Sequence, residues 1–521
     1  MSPSFGPNKL RSLSWMMSLC ALVMGSALPS SANESLPATP PASLARGDFL
    51  VLCYHDIVAT KNSNFYSVTQ AALKEQFAYL KKNYHVVGMD DVLAAHQGKK
   101  VLPRQAVVLT FDDGLESMYS LAFPLLKEYG FKALFAPVVK WTEDGIVPNY
   151  NPAMPDGSSR DVKTASWVQM REMVKSGLVQ IAPHTYDLHH GELFNPQGNE
   201  APAAAFFKYN STTHKYETPA QFRARLRSDL EKAVSLIYKN SGQMPKVMVW
   251  PYGAFNGFSL EIARELGMPI QFTLTPGPSN IKDLHNVNRA MITSNVDLPI
   301  FIDGMKRKFV TSESMHSMRV DLNMIYDADP AIQDQRLGRL LDHLLDSGVN
   351  TVFLKAFVGG NGEPVSEVFF PNTQISMKGD FLSRIAHQIR DRTKVKYVYV
   401  WMPLTLSLPR RLRGEEKYLQ SLYESLALGT DATGVLFQGE ESSTSQFQTH
   451  VAMESYRKFK PNAEFIRGLS HLSKDDSKNF KAFGEPEEGR NFVWQSTKPY
   501  STTAFLNLMN VAREFRVRIN L

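Results

Sequence analysis

QAVVLTFDDG, residues 105–114, is an unbroken apolar run that ends in two carboxylates and a glycine. A strand reads this way when both faces of its sheet are covered, because neither side has to meet water. The pattern recurs in DFLVLCYHDI from Asp48, and again in FKALFAPVV, LVQIAPHT, KVMVWPYG and PIQFTLTPG. Between the runs lie segments of helical spacing: Ser67–Tyr84, with Leu73, Phe77 and Leu80 on one face, then Thr218–Tyr238 and Ser259–Leu266. Strand and helix alternating like this predict an α/β unit on a parallel sheet, and six or seven such strands predict a (β/α) barrel, complete or incomplete. Chemistry in such folds sits past the C-terminal ends of the strands, where Asp112, Asp113 and Gly114 fall.

A second alternating series opens near Met318 with RVDLNMIYDADP. It continues through a helical Asp334–Ser347, NTVFLKAF, a helical Gly379–Thr393, KVKYVYVWMPL and GVLFQGEE. The polar segment MKRKFVTSES therefore marks a boundary, with one domain over 48–305 and another over 316–521. The second has about 205 residues, short of the roughly 250 of a complete eightfold barrel, so a shortened (β/α) barrel-like domain is expected.

The first residues read as an export leader. Lys9 and Arg11 precede an apolar stretch to Leu28, and small residues run through Ala32, so 1–32 is assigned as a signal peptide and 33–47, rich in Pro, Ala and Ser, as a linker. That stretch is shorter than the roughly 20 residues of a spanning helix, and Met17–Leu19 lacks the small residues of a lipid-attachment site before Cys20. A periplasmic or secreted protein with no transmembrane segment after cleavage follows. Removing the leader leaves Cys53 alone, so no internal disulfide forms and stability rests on the core. With a formal charge of +6 and no basic run, the composition gives no support to nucleic-acid binding.

DDG by itself is also an ordinary turn signal. The reading changes at LVQIAPHTYDLHHG, where another strand ends in His184 and His189, with His190 alongside. Five positions apart, the two imidazoles would lie about 140° apart on a helix, so a shared ligand role requires a loop. One carboxylate with two neutral imidazoles suits a catalytic divalent ion with positions left open for water and substrate. A surface loop that happens to hold three of the thirteen histidines is the plain alternative.

TFDDG (Thr110–Gly114), HTYDLH (His184–His189) and WPYG (Trp250–Gly253) resemble, in order and spacing, the motifs of the polysaccharide deacetylases, also called NodB-homology or carbohydrate esterase family four. YHDI at Tyr54–Ile57, the insertion NPQGNEAPAAA at Asn195–Ala205 and the second barrel-like domain resemble the subgroup that deacetylates poly-β-1,6-N-acetyl-D-glucosamine during biofilm export. The resemblance implies that Asp113, His184 and His189 bind one divalent ion (zinc, nickel, cobalt or iron), with Asp112 as general base. Such an ion lowers the pKa of water that attacks the acetamide, and the Tyr252 backbone N–H would stabilise the oxyanion.

His55 matches the subgroup's position for a general acid, although a structural histidine at a strand end would look the same. WPYG lacks the arginine of the wider pattern, which orients the base, and Arg289 is the replacement the sequence offers. Trp250, Tyr252 and Tyr186 are expected as sugar-stacking surfaces.

In the second domain Asp321, Asp327 and Asp329 resemble the start of a glycoside hydrolase cleft. The family's later Phe-His-Asp-Asp appears here as Phe437-Gln438-Gly439-Glu440, which points to polymer binding without cleavage. Lys355 and Trp401, at further strand ends, are expected contacts. The implied partners are an amino-sugar polysaccharide and an outer-membrane exopolysaccharide export protein. Two other readings stand beside this one: a deacetylase of chitin oligomers or peptidoglycan, and a non-catalytic glycan-binding scaffold.

Overall fold

The computed structural model describes residues 43–62, 64–150, 160–293, 296–310, 316–360, 363–406, 415–439 and 442–469, and strands at 480–483 and 493–496. The expected leader and most of the linker lie outside these residues, as does Glu440.

In the first unit, β1 (Asp48–Tyr54) pairs in parallel with β2 (Ala106–Asp113), β2 with β3 (Ala133–Pro137), and β3 with β4 (Val179–Ile181). The registers Tyr54↔Phe111, Phe111↔Phe135 and Phe135↔Ile181 bring the strand ends toward one edge. Two later strands, β5 (Val247–Val249) and β6 (Ile270–Phe272), also pair in parallel, and β7 (Ala290–Met291) pairs with β1. Between these groups, Val249 N donates to Pro183 O at 3.2 Å, and Phe272 forms a parallel bridge with Val287.

Both faces of the strands are buried, which is why the runs are uninterrupted. Leu50, Leu52, Tyr54, Val107, Leu109 and Phe111 join one apolar cluster, which takes in helix residues such as Phe77. Their alternating neighbours Phe49, Val51, Ala106 and Val108 join another with Val249 and Phe272.

The helices have conventional ends. α1 (Gln70–Asn83) starts at Thr69, whose hydroxyl accepts from Ala72 N, and buries Leu73, Phe77 and Leu80. α2 (Phe123–Tyr129) and α3 (Val139–Asp144) flank β3, and α4 (Trp167–Lys175) precedes β4. The long α5 (Pro219–Ser241) has a Thr218/Gln221 capping box, buried Phe222, Leu226, Leu230 and Ile237, and Gly242 in the left-handed region at its end.

The second unit is a parallel sheet of β8 (Ser317–Asp321), β9 (Thr351–Lys355), β10 (Tyr397–Pro403), β11 (Gly434–Gly439) and β12 (Glu464–Leu469), paired in chain order. The connecting helices are α6 (Pro330–Ser347), α7 (Leu382–Arg392), α8 (Glu415–Leu428) and α9 (Ser443–Phe459). The division of the chain is less simple than one cut near residue 305. Leu193–Asn199 and Phe207–Tyr216 belong to the second compact unit, while Glu200–Phe206 and Glu217–Thr311 belong to the first. Asn195 Nδ2 donates to Ser383 Oγ at 3.3 Å and Gln197 Nε2 to Asp380 O at 2.6 Å, so part of the expected insertion is built into the second unit. No helix among the described residues is long and apolar enough to cross a membrane.

Phe77 is fully buried and meets Tyr129 and Phe131 edge-on at 5.8 and 5.3 Å. Phe77→Ala is expected to destabilise the first unit by about 3–5 kcal/mol, read as a lower urea midpoint at unchanged slope.

Candidate metal centre

β2 delivers Asp112 and Asp113 to the strand ends facing Ala136 and Pro137 of β3. The chain then turns through two left-handed residues, Asp113 at φ 69° and Gly114 at φ 85°. At Gly114 a Cβ would lie 2.8 Å from Pro137 Cβ, so glycine is required by space as well as by φ. For Asp113 the left-handed backbone is a strain held by its surroundings.

His184 follows β4, and its backbone N–H donates to Pro137 O at 2.9 Å. Its Nδ1 is 2.7 Å from Val249 O, an acceptor only, which places the proton on Nδ1 and leaves Nε2 with a bare lone pair. The chain turns again at Thr185, φ 70°, whose Oγ1 accepts from Leu188 N at 3.1 Å. His189 returns with its ring 4.9 Å from that of His184, between Trp141 at 4.9 Å and Tyr252 at 4.6 Å.

His184 Nε2 and His189 Nε2 lie 3.8 and 3.5 Å from Asp113 Oδ1. That carboxylate oxygen is buried and has no hydrogen-bond partner. Three ligand atoms of the correct chemistry thus fall within 4.8 Å of one another. Burial first, then the Asp112 carboxylate, pushes the Asp113 carboxyl up to about 8, and burial lowers both histidines. A divalent cation among them reverses each of these effects, so the residues fit such an ion.

Asp112 is held differently. Arg289, fully buried, places Nη1 2.8 and 2.7 Å from its two oxygens and donates Nε–H to Thr273 O at 2.6 Å. The Cys53 thiol lies 3.4 Å from Asp112 Oδ2. Burial alone would raise this carboxyl, but Arg289, then His184 and His55, hold it at about 2. Arg289 therefore occupies the place the sequence offered it. His55, buried at the end of β1, has an Nδ1 without a hydrogen-bond partner and is lowered by burial to about 4.

Residues 99–270 match the polysaccharide deacetylase family, and residues 319–417 match a family described as hypothetical glycosyl hydrolase family 13. The chain is 34% identical over 388 residues to the poly-β-1,6-N-acetyl-D-glucosamine N-deacetylase of Escherichia coli K12, covering 72% of this chain and 56% of that protein. The first unit is a polysaccharide deacetylase domain. The chain spans little more than half the length of that relative. Two solved structures are also similar. A de-N-acetylase from Aggregatibacter actinomycetemcomitans is 34% identical, over 49% of this chain and 99% of that one, with a TM-score of 0.44. A deacetylase domain from Bordetella bronchiseptica is 34% identical, over 47% and 96%, with a TM-score of 0.41.

Within the deacetylase domain, two expected sugar contacts separate. Trp250 is fully buried, its indole N–H donating to Gln271 Oε1 at 2.7 Å, so it is a core residue and the sugar-stacking expectation is corrected. Tyr252, at φ 58°, sets its ring against that of His189 at a 45° tilt, and Gly253 beside it is required because a Cβ would lie 2.4 Å from Leu274 N. Trp141 was not singled out from sequence. Its only signal was its place in the first turn after a strand, where rim residues of such folds lie.

In the second unit the three aspartates of the expected cleft have local partners. Asp327 accepts from Asp329 N at 2.9 Å and pairs with Arg336 at 3.2 Å, and Asp329 caps α6, so both build the entry to that helix. Asp321 accepts from Asn323 and pairs with Lys355 at 3.1 Å. Asp321, Lys355 and Trp401 stand in register across three strands.

His55 makes acid stability testable. Its folded pKa of about 4 lies below the ordinary 6.5, so its neutral form contributes stability that is complete above pH 6.5 and lost as pH falls through 4. In metal-free protein, wild type minus His55→Gln should lose roughly 3 kcal/mol across that window, measured by urea unfolding.

Proposed function

We propose that the protein hydrolyses N-acetyl groups of poly-β-1,6-N-acetyl-D-glucosamine, with Asp113, His184 and His189 as ligands of one divalent ion and Asp112 as general base. The observation that carries this reading is the meeting of a partnerless Asp113 Oδ1 with two imidazole Nε2 atoms beside an ion-paired Asp112. When bound, the ion supplies Lewis-acid activation of water and of the acetamide carbonyl. Zinc, nickel, cobalt and iron all suit this donor set.

Asp112, kept ionised by Arg289, removes a proton from the attacking water. Nothing else need move for that step, because the carboxylate is already oriented. The Tyr252 backbone N–H serves the developing oxyanion, and Tyr252 and Trp141 bound the site on either side of His189. His55 rests neutral, so it gives the leaving amine the proton that Asp112 has taken from the attacking water and passed to it. The products are acetate and a glucosamine residue.

We read the first unit as an incomplete (β/α) barrel and the second as a shortened barrel that binds the polymer. The aligned Asp321, Lys355 and Trp401 and the family match over 319–417 support polymer binding. A periplasmic or secreted setting and an exopolysaccharide export partner belong to the same proposal.

Acetate release from poly-β-1,6-N-acetyl-D-glucosamine, with chitin oligomers in parallel, tests the activity. Asp112→Asn is expected to lower the rate by about 10²–10⁴-fold with metal still bound. Asp113→Ala should lose the metal and the activity, and chelation should abolish release until a divalent ion is returned. No release from either polymer by metal-loaded protein would favour a glycan-binding scaffold.

A further inference from the structure

We infer that Asp229 is a positioning residue for the metal-binding loop: its carboxylate accepts two successive backbone N–H groups and thereby sets the conformation that presents His184 and His189 to one ion. The inference rests on the ligand assignment proposed above. Asp229 lies inside α5, outside every motif quoted from the sequence. Its Oδ1 accepts from Tyr186 N at 2.8 Å and its Oδ2 from Asp187 N at 2.8 Å.

The loop needs such a support. His184 is fixed by its own strand end, through Pro137 O on its backbone and Val249 O on its ring. His189 lies five residues on, after the chain has passed Thr185 in a left-handed conformation that a β-branched residue avoids. Between the two ligands, the Asp229 carboxylate fixes the peptide N–H groups of Tyr186 and Asp187 at once.

The same helix holds Tyr186 a second time. Lys232 Nζ sits 3.7 Å from the centre of its ring, while the Tyr186 hydroxyl donates to Glu143 at 2.9 Å. The support is rigid, because α5 is capped at both ends and buries Leu226 and Leu230 on the turns beside Asp229. A residue that only filled space here would be apolar, since a half-buried carboxylate must be satisfied by donors, and both of its oxygens are spent on the loop.

The test is titration of full-length, metal-free protein with Co²⁺ and Zn²⁺, for wild type, Asp229→Ala and Asp229→Asn. Asp229→Ala should bind both ions about 10–100-fold more weakly. Its Co²⁺ visible spectrum should change, while the far-ultraviolet circular dichroism and thermal midpoint of the metal-free protein stay close to wild type. Asp229→Asn, which keeps one acceptor, should fall between the two, and excess metal should restore acetate release.

Wild-type affinity and an unchanged Co²⁺ spectrum in Asp229→Ala would overturn the inference. If that variant does not fold, wild-type affinity in Asp229→Asn would overturn it equally. Failure of the wild type to bind either ion would instead sink the ligand assignment and this inference with it, so the two failures are distinguishable.

Discussion

Three electron-pair donors, Asp113 Oδ1 and the Nε2 atoms of His184 and His189, are held toward one point in a buried setting, and the rest of the site is arranged around that constraint. Like donors at such separations stabilise nothing by themselves, and a buried oxygen without a partner is a cost. The backbone adds to it. Asp113, Thr185 and Tyr252 all sit in the left-handed region, each at about 1–3 kcal/mol. Such strain persists because two layers of apolar side chains fix the strand ends and leave the turns no cheaper path. The arrangement makes physical sense as a socket for a cation.

Adjacent carboxylates normally behave alike, yet here they are driven apart. Arg289 holds Asp112 at about 2, whereas burial and that very carboxylate push Asp113 up to about 8. Two environments across a single peptide bond thus separate the proposed base from the proposed ligand, as pairs of titratable groups with opposed shifts do in catalytic sites. The separation comes from a guanidinium delivered by a residue distant in sequence, beside β7.

How much of this was legible follows from what each residue's signal depends on. The parallel α/β strands could be read because burial on both faces leaves uninterrupted apolar runs, and α1 and α5 because their caps and i, i+4 faces are local. Asp112, Asp113, His184 and His189 stood out because strand ends deliver polar residues to one edge. Trp250 misled because a large aromatic in a functional motif reads the same whether its ring faces sugar or core, and only its bond to Gln271 decides. Asp327 and Asp329 show their helix-entry contacts only in the structure, because helix-capping aspartates and cleft aspartates share one spelling. Asp229 left no trace, since its partners are backbone N–H groups of a loop whose fold cannot be read from composition. The assignment of Leu193–Asn199 and Phe207–Tyr216 to the second unit was equally silent, because tertiary contacts settle it.

The central claim is that Asp113, His184 and His189 bind one divalent ion, and anomalous X-ray scattering from crystals grown with Zn²⁺ or Co²⁺ tests it most directly. The predicted result is one strong peak at about 2.0–2.2 Å from Asp113 Oδ1, His184 Nε2 and His189 Nε2. No peak at that point in metal-saturated crystals, or an ion bound elsewhere while these three atoms find other partners, would contradict it.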